Sequence, residues 1–324
     1  MPAVLLVKMS SLGDVVHNLP VVSDIIRHVP NAHIDWVVEE AIAEIPTLHP
    51  GVRRVIPVAL RHWRRRLHMP GTWRQITAMV QALRTRRYDL VLDTQGLLKS
   101  AVIAAVAKGP TAGPDWRSAR EPLAALLYQR RFSIARDCHA VTRNRELAAR
   151  ALGYALENSV LDYGIRVAAN APMPSGLPAR YAVCLHGTAR EAKRWPRAHW
   201  IALCRVLAAR GLVPLLSWGN AAERDEARSM AESIPGAYVL ATRLGLRELP
   251  AVLGNAELVI GVDTGLMHLA VALGRPTLAI YVDSWPRLSG AFPRDPARAL
   301  NLGGQGVPPT VDEVMAALAG LGLT

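Results

Sequence analysis

Apolar residues come in short runs separated by stretches of helical spacing, and the alternation repeats along the whole chain. In the first half, residues 4–7, 34–38, 54–58 and 90–92 are compact runs of strand character. Between them, Val15, Val16, Leu19, Val22, Ile25 and Ile26 share one helix face, and Ile76, Met79, Val80 and Leu83 share another. The second half repeats the rhythm, with strands expected over 181–185, 213–217, 237–240, 258–262 and 277–281. Helices are expected over 196–210, where Pro196 occupies a first-turn position that needs no N–H, and over 311–321. Strands as uniformly apolar as 258–262 belong to parallel sheets covered on both faces. The fold class is therefore α/β, as two Rossmann-like doubly wound parallel-sheet domains facing across a cleft. Residues 168–178 hold three prolines and a glycine, sustain neither period, and are read as the linker. This gives domains 1–170 and 171–324, with the last helix able to pack back on the first. The glycine-rich segment 303–306 follows no evident strand and is expected to be a loop.

Composition narrows this picture. Of 324 residues, 51% are hydrophobic and 20% charged, enough for two packed cores and without the imbalance of a disordered chain. Cys138, Cys184 and Cys204 are far apart and odd in number, which argues against a zinc site or disulfide framework and for a reducing compartment. The first apolar run reaches Lys8 too soon for a secretory signal, and nowhere do about 20 apolar residues follow one another as a membrane span requires. A soluble or peripheral protein is expected. The 38 Lys and Arg against 26 Asp and Glu leave a formal charge of +12, which calls for a polyanionic partner: nucleic acid, anionic lipid or a phosphorylated saccharide. Arginines crowd the first half, so the partner is expected to dock there. Residues 84–87 are adequately explained as a solvated helix face. Residues 61–66 are not, because a tryptophan sits among the charges and no helical apolar stripe is evident.

The chain has no G-x-G-x-x-G, Walker lysine loop, H-E-x-x-H or G-x-S-x-G, so dehydrogenases, P-loop NTPases and serine hydrolases lose ground. It also lacks the D-x-D pattern that holds a divalent metal against a nucleotide-sugar diphosphate. A diphosphate bound here would have to be neutralised by side-chain cations and backbone amides. The strand ending at Val262 enters a helix through Asp263-Thr264-Gly265, where the first N–H groups attract phosphate and Asp263 and His268 offer polar contacts. The loop from His186 to Pro196 adds Thr188 as a donor and Lys193 as a point charge. Glu223, after another strand, can accept from ribose hydroxyls. In the first domain Gly13 clears space, and Asp14 sits at a helix start that keeps it ionised, where it can serve as a general base. Residues 93–100 line the same edge and make Lys99 available to an anion. Each of these has a plainer alternative: Asp14, Asp263 and Thr264 as helix caps, Lys193 and Arg194 as surface charges, Trp195 as a hydrophobic staple, Glu223 as an ordinary first-turn acid.

Assembled, the segments resemble glycosyltransferase family 9, the lipopolysaccharide heptosyltransferases, over nearly the full length. The resemblance is carried by Lys8-Met9-Ser10-Ser11-Leu12-Gly13-Asp14-Val15-Val16-His17, Asp35-Trp36-Val37-Val38-Glu39-Glu40, Arg53-Arg54-Val55-Ile56-Pro57-Val58, Gln95-Gly96-Leu97-Leu98-Lys99-Ser100, Ala119-Arg120-Glu121-Pro122-Leu123-Ala124 and Val262-Asp263-Thr264-Gly265-Leu266-Met267-His268-Leu269. The second and fifth of these point to the member of the group that acts first. The resemblance implies a GT-B fold and inverting, metal-independent transfer of L-glycero-D-manno-heptose from ADP-heptose to the Kdo of Kdo2-lipid A, with no cofactor. It implies Asp14 as general base, Thr188 and Lys193 on the diphosphate, Glu223 on the ribose and Leu244 by the adenine. Asp263 would meet sugar hydroxyls, with Thr264, Gly265 and His268 completing the donor site. Lys8, Arg61, Arg64, Lys99, Arg120 and Arg143 would meet Kdo carboxylates and lipid A phosphates, beside Ser10 and Gly13. A monomer, peripheral on the cytoplasmic face of the bacterial inner membrane, is expected.

Two departures stand out: Ala189 replaces a second threonine, and Tyr281-Val282-Asp283-Ser284-Trp285-Pro286 replaces a Gly-Pro-Thr-Asp-Pro loop, leaving its contacts open. Three alternatives remain at this point. A family 9 enzyme with another acceptor shares every motif, a non-catalytic polyanion or nucleic-acid binder leaves the phosphate loops unused, and a two-lobed nucleotide-sugar epimerase leaves the arginines unexplained.

Overall fold

The computed structural model describes residues 1–156, 161–168, 171–188 and 190–321. Contacts divide the chain into two compact units, Met1–Arg166 and Val167–Thr324. The first is built on a six-stranded sheet of β1 (Ala3–Val7), β2 (His33–Glu39), β3 (Val52–Val58), β4 (Leu90–Asp93), β5 (Thr111–Pro114) and β6 (Arg130–Phe132). The order is β3-β2-β1-β4-β5-β6, and every pair is parallel. All five residues of β1 are buried, as a central strand covered on both faces requires. The chain winds outward from β1 to β3 and then returns to lay β4 beside β1, with Val7 opposite Asp93. Strand order reverses there, and loops leaving two neighbouring strands at such a point diverge to make a crevice.

The second unit repeats the plan with β7 (Tyr181–Leu185), β8 (Val213–Leu216), β9 (Tyr238–Val239), β10 (Leu258–Val262), β11 (Thr277–Tyr281) and β12 (Ala299–Gly303), again all parallel. Its order is β12-β11-β10-β7-β8-β9, so the reversal falls between β7 and β10. Both doubly wound α/β domains expected from the alternation are present. Trp195, Trp200, Leu203, Cys204 and Leu207 pack on this sheet, joined by Val314 and Leu318 from the last helix, Val311–Gly320. That helix therefore docks on its own unit. Its start is closed by reciprocal bonds: the Thr310 amide donates to Glu313 at 2.7 Å, and the Glu313 amide donates to the Thr310 hydroxyl at 3.2 Å.

Three strands lie outside the expected set, each for a local reason. β5 reads Thr-Ala-Gly-Pro, with Gly113 beside the Tyr128 ring, where a Cβ would stand 2.4 Å from a ring carbon. β6 is three residues at the sheet edge with both arginines exposed. β12 is an edge strand with only Ala299 buried, so segment 303–306 does follow a strand. Gly303 has φ +78, and a Cβ there would meet the Tyr281 carbonyl at 2.3 Å. Residues 61–66, expected to lack helical character, fall largely in the helix Leu60–Arg65; its stripe is the single residue Trp63, buried with its indole N–H on Gln75 at 2.7 Å.

A buried ion pair joins two helices of the first unit. Arg145, in the helix Ala140–Leu152, donates to both oxygens of Asp24, in the helix Leu19–His28, at 2.7 and 3.0 Å, with both residues almost fully buried. Removing Arg145 leaves the buried Asp24 with Arg27 no nearer than 3.9 Å, a poor substitute in low dielectric. Arg145→Met is expected to cost about 3–5 kcal/mol in denaturant unfolding, and Asp24→Leu combined with Arg145→Met to recover most of it.

Candidate active site

In the first unit, the loops after β1 and β4 are locked together. The Lys8 ammonium, buried, donates to the Thr94 carbonyl at 2.9 Å, and the Met9 amide donates to Gln95 Oε1 at 2.7 Å. Asp14 lies in the first turn of the helix Leu12–Val16. Its Oδ2 accepts from the Ser11 amide at 2.9 Å and the Ser11 hydroxyl at 3.1 Å, and lies 4.0 Å from Arg120 Nη1. Burial pushes this carboxyl up, but Lys8, the Ser11 donors and Arg120 together outweigh it, so its pKa is lowered and it is ionised at neutral pH. Burial lowers the Lys8 ammonium, opposed by Asp14 and Asp93. Arg143, half-buried, is also lowered by burial and acts on the same charges while donating to the Arg136 and Cys138 carbonyls at 3.1 and 3.0 Å. Lys8, Asp14, Arg120 and Arg143 thus form one group. Gly13 is buried in the same turn, and Ser10 is half-buried beside it.

Gly96 explains how Arg120 arrives. It has φ +66, and a Cβ there would stand 3.0 Å from Pro114 and 3.4 Å from the Arg120 amide. Its carbonyl accepts from the Glu121 amide at 3.0 Å. Asp93 anchors the loop, accepting from Tyr128 Oη at 2.6 Å and from the Gln95 and Gly96 amides at 2.7 and 3.2 Å. Its work is structural. Arg61 and Lys99 form a second group around Glu39, whose carboxyl burial raises while these two cations and the Arg61 amide oppose. Glu39 closes the buried strand β2, and a polar residue ending an apolar run was the signal for it. Arg64 is exposed on the helix that carries Arg61.

In the second unit the loops after β7 and β10 meet at Asp263. Its Oδ2 accepts from Lys193 Nζ at 2.5 Å and from Ser284 Oγ at 2.8 Å, and its Oδ1 lies 3.4 Å from His268 Nε2. Burial would raise this carboxyl, yet His268 and Lys193 hold it far below the usual carboxylate range. Thr264 caps the helix Gly265–Ala272, its hydroxyl accepting from the Met267 amide at 3.4 Å, and Gly265 opens that helix with no side chain in the way. Glu223, in the first turn of the helix Ala221–Ala231, accepts from the Gly219 amide at 2.7 Å and packs against Gly187, where a Cβ would stand 2.6 Å from its carboxyl carbon. That absent Cβ brings Glu223 to the loop after β7.

Thr188 is half-buried in that loop, and Ala189 lies outside the described residues. Leu244 is buried in the segment after β9. Arg194 pairs with Glu191 and Glu226 at 3.1 and 3.5 Å, and Trp195 is core, its indole N–H on the Pro309 carbonyl at 2.9 Å. His186 is buried, and neither ring nitrogen has a hydrogen-bond partner among the described residues; burial keeps it neutral. Ser284 was not singled out as a site residue, because its loop departs from the pattern that would have flagged it. Among the described residues no group of three or more His, Cys, Asp or Glu is placed to hold a metal ion, and no helix is long and apolar enough to cross a membrane.

The profile of glycosyltransferase family 9 (heptosyltransferase) matches residues 76–300. The chain belongs to that family. It is 48% identical to lipopolysaccharide heptosyltransferase 1 of Pseudomonas aeruginosa, over 90% of this chain and 81% of that protein. Identity to lipopolysaccharide heptosyltransferase 1 of Escherichia coli is 43%, over 89% and 90%. Among solved structures, E. coli heptosyltransferase WaaC with ADP matches at a TM-score of 0.90 and 40% identity, covering 98% of this chain and 99% of that one. The same enzyme with ADP-2-deoxy-2-fluoro heptose matches at 0.86 and 39%, with the same coverage. The GT-B class follows from this likeness.

Lys8 is the largest opponent of burial at Asp14. Lys8→Met is expected to raise the Asp14 pKa, read as an upward move of its carboxyl ¹³C titration midpoint. An unchanged midpoint would remove Lys8 from the account.

Proposed function

We propose that the protein transfers L-glycero-D-manno-heptose from ADP-L-glycero-D-manno-heptose to the Kdo of Kdo2-lipid A, as an inverting, metal-independent glycosyltransferase. Residues 1–170 bind the acceptor and 171–324 the donor. The observation that carries this reading is the Asp263 cluster. In a family 9 chain, a lysine, a buried histidine and a capped helix start converge at the strand-order reversal of the second sheet, and the similar WaaC enzyme has been solved with ADP and with an ADP-heptose analogue. Relatives named heptosyltransferase 2 are only 23–24% identical, which favours the first transfer over the second.

In this reading the acceptor hydroxyl gives its proton to Asp14 as it attacks the anomeric carbon opposite the leaving ADP. Asp14, a weak base at rest, suffices because the hydroxyl acidifies as the bond forms. Negative charge then grows on the diphosphate, where Lys193, Thr188 and the amides near Thr264 and Gly265 meet it without an ion. Asp263 and His268 orient the sugar, Glu223 holds the ribose and Leu244 packs by the adenine. Lys8, Arg120 and Arg143 take the acceptor's carboxylates nearest the reaction, while Arg61, Arg64 and Lys99 take its outer phosphates. The enzyme works as a monomer on the cytoplasmic face of the inner membrane.

Release of ADP from ADP-heptose should depend on Kdo2-lipid A, and equal release without it would overturn the acceptor assignment. Asp14→Ala is expected to abolish transfer while leaving ADP-heptose affinity nearly intact, so near-normal turnover would end the base assignment. Lys193→Met should lower turnover by about 10²–10³-fold, as loss of one charge-stabilising donor commonly does.

A further inference from the structure

We propose that the hairpin formed by the helices Leu60–Arg65 and Pro70–Arg84 is a membrane-insertion element, whose tip residues Leu67, Met69 and Trp73 enter the headgroup layer of an anionic bilayer. These three are 48%, 44% and 56% exposed; Leu123 and Leu126 elsewhere in the unit are exposed to a similar degree, but the hairpin's three stand within a run of arginines. They sit among Arg64, Arg65, Arg66, His68 and Arg74, all exposed. Between residues 60 and 88 the chain has eight arginines and no aspartate or glutamate, so the hairpin offers one sign of charge only. Bulky apolar tips ringed by arginine match the interface of an anionic membrane, where rings and alkyl chains leave water and guanidinium groups meet phosphates.

The tip is also preorganised for that environment. The Trp73 indole N–H already donates to the Leu67 carbonyl at 2.8 Å, so its ring can enter an apolar layer without stranding a donor. The Met69 amide donates to the Arg66 carbonyl, and the Thr72 amide to the Met69 carbonyl, both at 3.0 Å, which closes the turn. Buried Trp63, bonded to Gln75, ties one helix to the other. An arginine patch meant only for a soluble polyanion has no use for three exposed apolar side chains at its crest. The proposal deepens the membrane location given above, and its test uses no glycolipid and no ADP-sugar, so its failure is distinct from failure of the transferase reading.

The experiment is partition of the full chain onto vesicles of phosphatidylcholine with or without phosphatidylglycerol, at low and high salt. Wild type is expected to bind only the anionic vesicles and to keep part of that binding at high salt. Leu67→Gln/Met69→Gln/Trp73→Gln should lose about tenfold in partition and all of the salt-resistant part. Arg65→Gln/Arg66→Gln/Arg74→Gln should lose about fivefold per arginine at low salt. Brominated acyl chains should quench a fluorescence component that is absent from Trp73→Phe, a variant that keeps the apolar ring and so retains binding and reports on folding. Wild-type partition by the apolar triple variant, absence of that quenching, or binding to duplex DNA but not to vesicles would each overturn the proposal.

Discussion

Both units of this chain are organised around a carboxylate that stays charged although folding takes much of its water away. Desolvation alone would push Asp14 and Asp263 toward the neutral acid, and in each case it is the largest single influence. The balance is reversed by donors from separate segments: Lys8, Ser11 and Arg120 at Asp14, and Lys193, His268 and Ser284 at Asp263. Each of these groups favours the charged form of its carboxylate against burial. The strand-order reversals contribute by setting the loop after β1 beside that after β4, and the loop after β7 beside that after β10, while Arg120 and Ser284 arrive from beyond β5 and β11. Sheet topology and site electrostatics are therefore linked, most directly at Asp263, whose lysine comes from the loop after the neighbouring strand β7.

Close approach of backbone to backbone is the second condition, met by glycine where a side chain would collide. Gly96 admits the segment carrying Arg120, and Gly187 admits the Glu223 carboxylate to the loop after β7. At both places the missing Cβ decides which charged group reaches the site, so glycine acts there as a positioning device as much as a flexible joint.

How much of this was legible in the sequence depended on where the determining contacts lie. Central strands such as β1, β7 and β10 declare themselves because burial on both faces makes every residue apolar, and their following loops carried Asp14, Lys193 and Asp263 at strand ends where such fold classes bind ligands. Edge strands do not. β6 exposes two of its three residues as arginines, and β12 buries one residue of five, so neither shows a period. The helix Leu60–Arg65 was hidden because a single tryptophan does the packing that a stripe of smaller residues usually does. Ser284 was out of reach for another reason. Its bond to Asp263 spans 21 residues and depends on where β11 sets down the loop, which no local pattern encodes.

The Asp263 cluster also bears on how a donor site can work without an ion. A lysine committed to a carboxylate looks spent, but an ammonium has three donors and the contact to Asp263 uses one of them. In the proposed reaction a diphosphate can take the others while the ion pair persists, so Lys193 need not be released before the donor binds. Asp263 in turn holds the lysine in place, and Ser284 and His268 meet the carboxylate on its two oxygens. A hydrated metal brings charge but must be oriented by its ligands. In the proposed reaction Lys193 needs no such ligands, because Asp263 already positions it through an ion pair and Ser284 and His268 position Asp263.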